Sequence, residues 1–348
     1  FFSSHSSFCL RRPARYCLRM SPNVTAPLFR FGVIADVQYC NCDDGTNFDG
    51  SVKRHYRGAL SALGKAVDDW NSIEDLRFIA QLGDVIDGKC EKFGQSESDL
   101  ADVMAQFQRC NVQEIYHCIG NHELYNFARW QLAQKLRTIR GPHKKEFYSF
   151  SPASGWRFIV LDPYQEAIIG LPIGSAPYAK ALTELQQNNP NDVLHGGDWC
   201  AGLKGDQKRW VPYNGGLGDE QLEWMQRELH EAAAAGEQVV ILCHVLLHPK
   251  AGAGSTMAFD FDKALSIVHA SNCVVAVLCG HDHTGGYVQD DAGVHHLTFP
   301  SPLNEGDKAP CHAHVEVYPD RLEVIGSGVV PSRTLTRAPS LMSGGAVH

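Results

Sequence analysis

Five short blocks of polar residues follow apolar segments of strand length, and their side chains are of types that bind divalent cations. Carboxylate and amide oxygens combined with imidazole nitrogens suit hard to borderline divalent cations. A single Gly-Asp after a strand usually marks a turn, and a single buried histidine is usually a hydrogen-bonded core residue. Five such blocks in succession favour a metal centre instead. In chain order the blocks are Asp36-Val37-Gln38, Gly83-Asp84, Gly120-Asn121-His122-Glu123, His244 and Gly280-His281-Asp282-His283.

The segments that precede these blocks alternate with segments of helical periodicity, which is the pattern of an α/β fold. Ligands of open α/β sheets bind beyond the carboxyl ends of the strands, so we expect the five blocks to meet at one rim. Three late segments without intervening helices predict antiparallel strands, the last two forming a hairpin around Pro319-Asp320. The predicted strands are Leu28–Ala35, Leu76–Leu82, Val112–Ile119, Trp156–Leu161, Val239–Cys243, Cys273–Cys279, Val294–Phe299, His314–Tyr318 and Arg321–Ile325, and the predicted helices are Arg54–Trp70, Ser96–Cys110, Leu124–Ile139, Tyr178–Gln187, Asp219–Ala235 and Phe259–Ala270.

Composition and charge restrict the class of partner. The chain has 348 residues, of which 44% are hydrophobic and 20% charged, an ordinary globular composition. The net charge is -8, and the first 30 residues contribute five arginines and no acidic residue, so the remainder is still more acidic. An acidic body argues against nucleic acid as a partner, because that binding depends on Lys and Arg at the phosphates. No apolar run reaches the roughly 18 residues of a membrane span, so we expect no membrane partner either.

Both ends of the chain are expected to lie outside the fold. Residues 1–27 are predicted to be disordered, as an organelle transit segment over 1–19 or as sequence upstream of a start at Met20. Residues 28–333 are predicted to form a single domain, and residues 334–348 a disordered tail. We expect the protein to be a monomer.

The twelve cysteines are scattered, several lie in apolar runs, and none forms a CxxC pair. This distribution predicts a reducing compartment, the cytoplasm, with an organelle form if the transit segment is genuine. Cys40-Asn41-Cys42 is either a metal or redox pair or a coincidence within a loop, and its spacing favours the coincidence.

The order and spacing of the five blocks resemble the calcineurin-like metallophosphoesterase family. The signature of that family is Asp-x-His, Gly-Asp, Gly-Asn-His-(Asp/Glu), His and Gly-His-x-His, and the match covers about residues 29–285. The resemblance implies an α/β fold of two β-sheets packed as a sandwich and flanked by helices, a four-layer αββα arrangement. It also implies a binuclear metal site on the rim. One departure is Gln38, which stands where most of the family has histidine.

The resemblance further implies a set of ligands. Asp84 would bridge two divalent metal ions, which together clamp a phosphoryl group and lower the pKa of a water molecule. The amide oxygen of Gln38 makes the first site harder, which favours Mn²⁺, or Mg²⁺, over zinc. The implied ligands of the first ion are Asp36, Gln38, Asp84 and His283, and those of the second are Asp84, Asn121, His244 and His281.

Two residues are candidates for catalysis beside the metals. The resemblance implies that His122 protonates the leaving oxygen or stabilises charge in the transition state. Asp87 either orients the imidazole of His122 or caps a helix. Glu123 opens a predicted helix, where its charge suits the helix dipole. His248 either contacts substrate or has a structural role in its loop.

Gln38, together with Asn47-Phe48-Asp49-Gly50 and Tyr213-Asn214-Gly215-Gly216, resembles the manganese-dependent branch of the family that hydrolyses ADP-ribose and CDP-alcohols. The resemblance implies small nucleoside diphosphates such as CDP-choline and CDP-glycerol as substrates, cleaved at the pyrophosphate bond. Phe48 would then stack on the nucleobase, or alternatively anchor its loop on the core. A phosphomonoesterase or cyclic-nucleotide phosphodiesterase of the same family, and a non-catalytic binding scaffold, are the alternative functions.

Overall fold

The computed structural model describes residues 26–141 and 144–336. The expectations for residues 1–25 and 337–348 fall outside the described residues. Within the described ranges, no helix combines the length and apolar character needed to cross a membrane.

The described part of the chain contains fourteen strands and nine α-helices. The strands are β1 Phe29–Ile34, β2 Gly45–Thr46, β3 Lys53–Arg54, β4 Leu76–Gln81, β5 Ile115–His117, β6 Tyr148–Ala153, β7 Trp156–Val160, β8 Gln238–Leu242, β9 Val274–Cys279, β10 Gly286–Gln289, β11 His295–Thr298, β12 Cys311–Val317, β13 Arg321–Gly328 and β14 Arg333–Thr336. The helices are α1 Tyr56–Asn71, α2 Lys89–Lys92, α3 Ser96–Gln108, α4 Asn121–Asn126, α5 Arg129–Lys135, α6 Ala176–Asn188, α7 Gly218–Ala235, α8 Phe261–Ser271 and α9 Pro302–Glu305.

The strands form two six-stranded sheets, ordered β14-β13-β12-β1-β4-β5 and β10-β11-β9-β8-β7-β6, and a small hairpin of β2 and β3. Aromatic rings fill the space between the large sheets. Phe31 and Phe78 of the first sheet stack at 4.9 Å, and the edge of Phe158 from the second sheet meets them at 5.2 Å. Because side chains of a strand alternate in direction, the intervening residues face the helices. Helices α1 and α3 cover the first sheet, and α7 and α8 the second. The predicted four-layer sandwich is confirmed.

Gly32 shows how closely a helix approaches the first sheet. A Cβ at this position would lie 2.8 Å from the indole of Trp70 and 2.8 Å from Ile79. The Trp70 indole N–H donates to the carbonyl of Ala313 on β12 at 3.0 Å. Glycine therefore allows α1 to rest directly on the strands that lead to the rim.

The prediction of a single helix over 124–139 is wrong, because the structure has two helices in this region. Helix α4 ends at Asn126, and Phe127 is extended with φ -140° and ψ 146°. Burial of Phe127 in the core and the ion pair from Arg129 to buried Asp162, at 2.6 Å, account for the break. Helix α5 then begins at Arg129 and ends at Lys135.

The late strands also differ from prediction. The hairpin of β12 and β13 around Pro319-Asp320 is confirmed, with Val317 opposite Leu322. Strand β11, predicted to be antiparallel, pairs in parallel with β9 and antiparallel with β10. Strand β10 was not predicted, because Gly285 and Gly286 interrupt the strand periodicity at its start. Strand β14 extends to Thr336, so the domain continues past residue 333, where it was expected to end.

The five polar blocks all lie at the same edge of the sandwich. Strands β1, β4 and β5 are parallel neighbours in one sheet, and β7, β8 and β9 in the other. The two edges touch, since a Cβ on Gly83 would lie 2.4 Å from the His244 ring. The fold thus brings together residues that are far apart in sequence.

Candidate metal centre

The backbone at the rim turns sharply to direct polar side chains inward. Asp36, Gln38, Asp84 and His281 have positive φ angles of 50°, 45°, 59° and 68°. Residues other than glycine rarely adopt this conformation, which costs on the order of 1–3 kcal/mol each. All four are predicted ligands, so the strain coincides with the candidate centre.

Glu123 ties the ends of β4 and β5 together. Its carboxylate accepts hydrogen bonds from the backbone N–H groups of Asp84, Val85 and Gly120, at 2.8, 2.6 and 2.7 Å. The side chain is buried, and this burial, with Asp84 nearby, raises the pKa of Glu123 to about 7. Sequence reasoning found only its helix-dipole role, whereas the structure shows that it also fixes the turn that carries Asp84.

The residues predicted for the first ion lie together. The terminal amide nitrogen of Gln38 is 2.9 Å from Asp84 Oδ2 and 3.0 Å from His283 Nε2. His283 Nε2 is in turn 3.6 Å from Asp36 Oδ1. A half-turn of the Gln38 amide exchanges its nitrogen and oxygen and places Oε1 toward the other three side chains.

The residues predicted for the second ion form a similar group. The ligand atoms of Asp84, His244 and His281 all lie within 4.8 Å of one another. Asn121 Oδ1 is 3.3 Å from His244 Nε2. Its amide also contacts the hydroxyls of Tyr125 and Tyr164, at 3.3 and 3.4 Å.

The two histidines of this group direct ring nitrogens at each other. His244 Nδ1 donates to the carbonyl of Leu82 at 2.7 Å, and His281 Nε2 donates to Asn214 Oδ1 at 2.8 Å. The orientation of Asn214 is settled because its amide nitrogen donates to the carbonyls of Arg209 and Ser255, both at 2.9 Å. The remaining ring nitrogens, His244 Nε2 and His281 Nδ1, face each other at 3.0 Å. Two neutral rings would leave two lone pairs facing each other here, and either a proton on one nitrogen or a divalent cation shared by both satisfies the contact.

Oxygen atoms without hydrogen-bond partners, and the charge states of the side chains, provide a second test of whether this site fits divalent cations. Asp36 Oδ1 and Gln38 Oε1 are buried and have no hydrogen-bond partner among the described residues. Burial raises the pKa of Asp36 well above its ordinary value. Burial also lowers the pKa of His283 to about 3 and that of His281 well below its ordinary value, so both rings are neutral, as metal ligands must be. The donor set therefore fits divalent cations.

Asp84 lies at the junction of the two groups. Burial favours its neutral form, but His244 and His122 outweigh burial and lower the pKa of Asp84. Burial in turn lowers the pKa of His244, yet Asp84 and Asp36 raise it to about 9. This position between the two groups is the one required of a bridging carboxylate.

His122 lies beside the ligands and faces the open side. Its Nε2 is 3.9 Å from Asp84 Oδ2, and its Nδ1 accepts a hydrogen bond from the backbone N–H of Gly88 at 2.7 Å. In the neutral ring the proton is therefore on Nε2, toward the ligands.

Asp87 makes contacts that match both of its predicted roles. Its Oδ1 accepts from the backbone N–H of Lys89 at the start of α2, at 2.9 Å. Its Oδ2 lies 3.3 Å from His122 Nδ1 and has no hydrogen-bond partner among the described residues. It can take an N–H from His122 only when Nδ1 carries a proton, which replaces the hydrogen bond from Gly88. The role of Asp87 in orienting the ring stays a prediction.

A cavity of about 580 Å³ opens over the two ligand groups. Phe48 lies in the loop between β2 and β3 at its wall, and 88% of this residue is exposed. The alternative that Phe48 anchors its loop on the core is therefore wrong, and stacking stays a prediction. The lining also includes Arg54, Asn121, His122, Tyr125, Cys200, Tyr213, His281 and His283.

Sequence reasoning missed two residues of the site. Arg54 lines the cavity, and its Nε is buried with no hydrogen-bond partner among the described residues, although the pattern only marked it as a helix start. Asn214 orients His281, and the Tyr213–Gly216 motif was the one signal that pointed to it.

Other candidate residues have structural roles. The ring of His248 packs on that of His296 at 4.6 Å, and its Nδ1 accepts from the backbone N–H of Lys250. Asp282 accepts from the backbone of Ala253 and the hydroxyl of Thr284. The structural alternative for His248 is thus the better supported one.

Comparisons with known proteins agree with this geometry. Residues 29–285 match the model of the calcineurin-like phosphoesterase family. A relative from Oryza sativa is 38% identical over 301 residues, covering 86% of this chain and 92% of the relative, and one from Homo sapiens is 35% identical over 322 residues, covering 88% and 92%. Both are named manganese-dependent ADP-ribose/CDP-alcohol diphosphatase. The crystal structure of a dimetal phosphatase from Danio rerio superposes with a TM-score of 0.84 at 33% identity, covering 90% of this chain and 100% of that one. This chain belongs to the calcineurin-like phosphoesterase family.

Proposed function

We propose that this protein hydrolyses the pyrophosphate bond of ADP-ribose and of CDP-alcohols such as CDP-choline and CDP-glycerol, releasing AMP or CMP and a phosphorylated sugar or alcohol. The observation that carries the proposal is a pair of ligand groups sharing Asp84 beneath a cavity of about 580 Å³. That volume suits a small-molecule substrate. The names of relatives that match most of the chain support the same substrates.

Two divalent cations, preferably Mn²⁺, are the cofactors. The proposed ligands are Asp36, Gln38, Asp84 and His283 for one ion, and Asp84, Asn121, His244 and His281 for the other. Oxygen ligands from carboxylates and amides, together with imidazole, suit Mn²⁺, and the relatives' names support manganese dependence. When bound, such a pair of ions activates water and neutralises charge on the attacked phosphate.

His122 supplies the proton to the leaving oxygen. The Gly88 N–H at Nδ1 keeps the proton of the neutral ring on Nε2, on the cavity side. For this step the ring must first gain a second proton, on Nδ1, which replaces the hydrogen bond from Gly88 and faces the Asp87 carboxylate, 3.3 Å away. The charged ring then gives its Nε2 proton to the leaving oxygen and is left neutral.

Two residues on the loop and strand beside the cavity bind the rest of the substrate. Arg54 lines the cavity, and its guanidinium charge would attract the phosphate that is not attacked. Phe48 offers its exposed ring to the base. These contacts favour a diphosphate with a nucleoside over a simple phosphate ester, because the latter reaches neither residue.

A hydrolysis panel tests the proposal. The protein is chelated, reloaded with Mn²⁺ or Mg²⁺, and assayed on ADP-ribose, CDP-choline, a cyclic nucleotide and p-nitrophenyl phosphate, with products separated by chromatography. We expect AMP and CMP from the first two substrates, the highest rates with Mn²⁺, and no turnover after chelation. Full activity without metal contradicts the mechanism, and preference for either of the last two substrates contradicts the assigned substrate class.

The protein is proposed to act as a monomer in a reducing compartment such as the cytoplasm. Buried thiols such as Cys118 and Cys243 support a reducing environment. Light scattering of the purified protein and imaging of a tagged full-length chain in cells test these two points.

A further inference from the structure

A second group of ligand-type side chains lies apart from the rim centre. The ligand atoms of Cys40, Cys90 and Asp99 all fall within 4.8 Å of one another. The exposed fractions of these residues are 0%, 0% and 1%. Cys42 is hydrogen-bonded to Cys40 and is also buried. None of the four belongs to the ligand set proposed for manganese.

The group of Cys40, Cys90 and Asp99 places a carboxylate in the core, where apolar side chains are usual. Asp99 Oδ2 accepts the backbone N–H of Asn41 at 3.0 Å, which orients the carboxylate from behind. A buried carboxylate costs several kcal/mol unless it is paired, and the partners of Asp99 are the Asn41 N–H, the Ser98 hydroxyl at 3.4 Å and the Cys90 thiol. An apolar residue would fill the same space without that cost.

Thiolates and a carboxylate form a donor set for thiophilic cations. Zn²⁺ takes cysteine sulfur and carboxylate oxygen in tetrahedral sites, and sulfur ligands select such cations against Mn²⁺. We infer that Cys40, Cys90 and Asp99 bind one thiophilic divalent cation such as Zn²⁺. Each coordinating thiol loses its proton to solvent when the cation binds.

The charges around the site are compatible with the loss of thiol protons when a cation binds. Burial raises the pKa of Cys90, so this side chain is a thiol when no cation is bound. Burial raises the pKa of Cys42 as well, while the positive charges of Lys89 and Arg57 oppose that increase. The Lys89 and Arg57 side chains offset part of the negative charge of the thiolates.

The site joins the two segments that carry the first manganese ligands. Tyr39 donates its backbone N–H to the carbonyl of Val85 at 3.2 Å and accepts from the N–H of Asp87 at 2.9 Å. The Cys90 thiol donates to the same Tyr39 carbonyl at 3.3 Å. A cation held by Cys40 and Cys90 cross-links these segments, so we expect it to raise the unfolding temperature.

Cadmium titration tests the inference on the manganese-loaded protein. Cd²⁺ is a spectroscopic substitute for Zn²⁺, and sulfur ligands give a ligand-to-metal charge-transfer band in the ultraviolet. Cadmium that displaces manganese at the rim gives no such band, because the rim ligands contain no sulfur. We expect the band to saturate at one equivalent of sulfur-bound Cd²⁺, and cadmium NMR of the same sample to show at least two sulfur ligands.

Variants assign the band to residues. Cys40→Ala and Cys90→Ala should each weaken sulfur-bound Cd²⁺ at least 10-fold, and Asp99→Asn should weaken it with the thiols retained. Cys110→Ala removes another buried thiol, outside the group, and should leave the band unchanged. Absence of the band in wild-type protein, or its persistence in both Cys40→Ala and Cys90→Ala, overturns the inference. The readout is independent of hydrolysis, so the proposed function can fail or hold separately.

Discussion

At the scale of single residues, the candidate centre depends on side chains that orient the ligands as well as on the ligands themselves. His281 is directed by Asn214, and Asp84 by the Glu123 carboxylate that binds its backbone. Hydrogen bonds from such neighbours fix the tautomer and the orientation of a ligand before the metal binds.

Asn214→Ala removes the acceptor of the His281 Nε2 proton. We expect the manganese concentration needed for half-maximal activity to rise about 10- to 100-fold, since the ring is then free to rotate or change tautomer. Calorimetric titration of the chelated protein with Mn²⁺ measures the same loss without an assay. Asn191→Ala is the matched control, because Asn191 binds the carbonyls of Trp199 and Ala201 away from the ligands. Equal manganese affinity in wild type and Asn214→Ala contradicts the role.

His122→Ala should retain both metal ions and lose on the order of 10²- to 10⁴-fold in kcat, as expected for a general acid. Elemental analysis of the variant separates this outcome from ligand loss, with Asp84→Ala as the variant expected to lose metal. His248→Ala provides a structural histidine for comparison. Metal loss in His122→Ala would make His122 a ligand instead.

At the scale of elements, the ends of β4 and β5 are held in place by few groups. Glu123→Gln leaves a single carbonyl oxygen where two carboxylate oxygens accept three backbone N–H groups. We expect a loss of about 1–3 kcal/mol in the free energy of unfolding, the cost of leaving a buried donor unpaired. Denaturant titrations measure it. Glu97→Gln, at an exposed ion pair with Lys135, is the control and should change little.

Strand β5 also contains a pH-sensitive group. Burial, and then Arg140, lowers the pKa of His117 to about 3. Its Nδ1 donates to Gln81 Oε1 at 3.0 Å, while the Gln81 amide donates to the carbonyl of Gly83. The unfolded chain therefore binds the proton first as pH falls below about 6.5, so stability falls between about pH 6.5 and pH 3.

His117→Gln keeps a donor for Gln81 and removes the titration. Below pH 6 we expect the unfolding free energy of wild type to fall more steeply than that of the variant, by at most about 1.4 kcal/mol per pH unit. His195→Gln, at a side chain that is 80% exposed, serves as the control. If the unfolding free energies of wild type and His117→Gln fall with pH at the same rate, His117 does not contribute to the pH dependence of stability.

At the scale of the whole molecule, the cavity is assembled from segments that are distant in sequence. Phe48 comes from the β2–β3 loop, Tyr213 precedes α7, and His283 follows β9. Substrate specificity is therefore a property of how loops from both sheets meet over the rim.

Phe48→Ala tests the nucleoside side of the cavity. Stacking of a base on an aromatic ring contributes about 1–3 kcal/mol, so kcat/KM for ADP-ribose should fall roughly 5- to 150-fold. Turnover of p-nitrophenyl phosphate should stay nearly unchanged, because this substrate has no nucleoside. Ile173→Ala, which removes a comparably exposed apolar side chain, is the control. Equal losses on both substrates would contradict stacking by Phe48, and the base would then have to bind elsewhere.

The sequence by itself determined the α/β class, the strands that precede the polar blocks and the blocks themselves, because strand periodicity and local motifs are encoded in short segments. It could not show that Glu123 clamps Asp84, that Asn214 orients His281, or that Cys90 and Asp99 lie beside Cys40. It also predicted one helix where Phe127 breaks the chain into two. These features arise from contacts between segments far apart in the chain, and only packing of the two sheets, which sets the distances between strand ends, decides them.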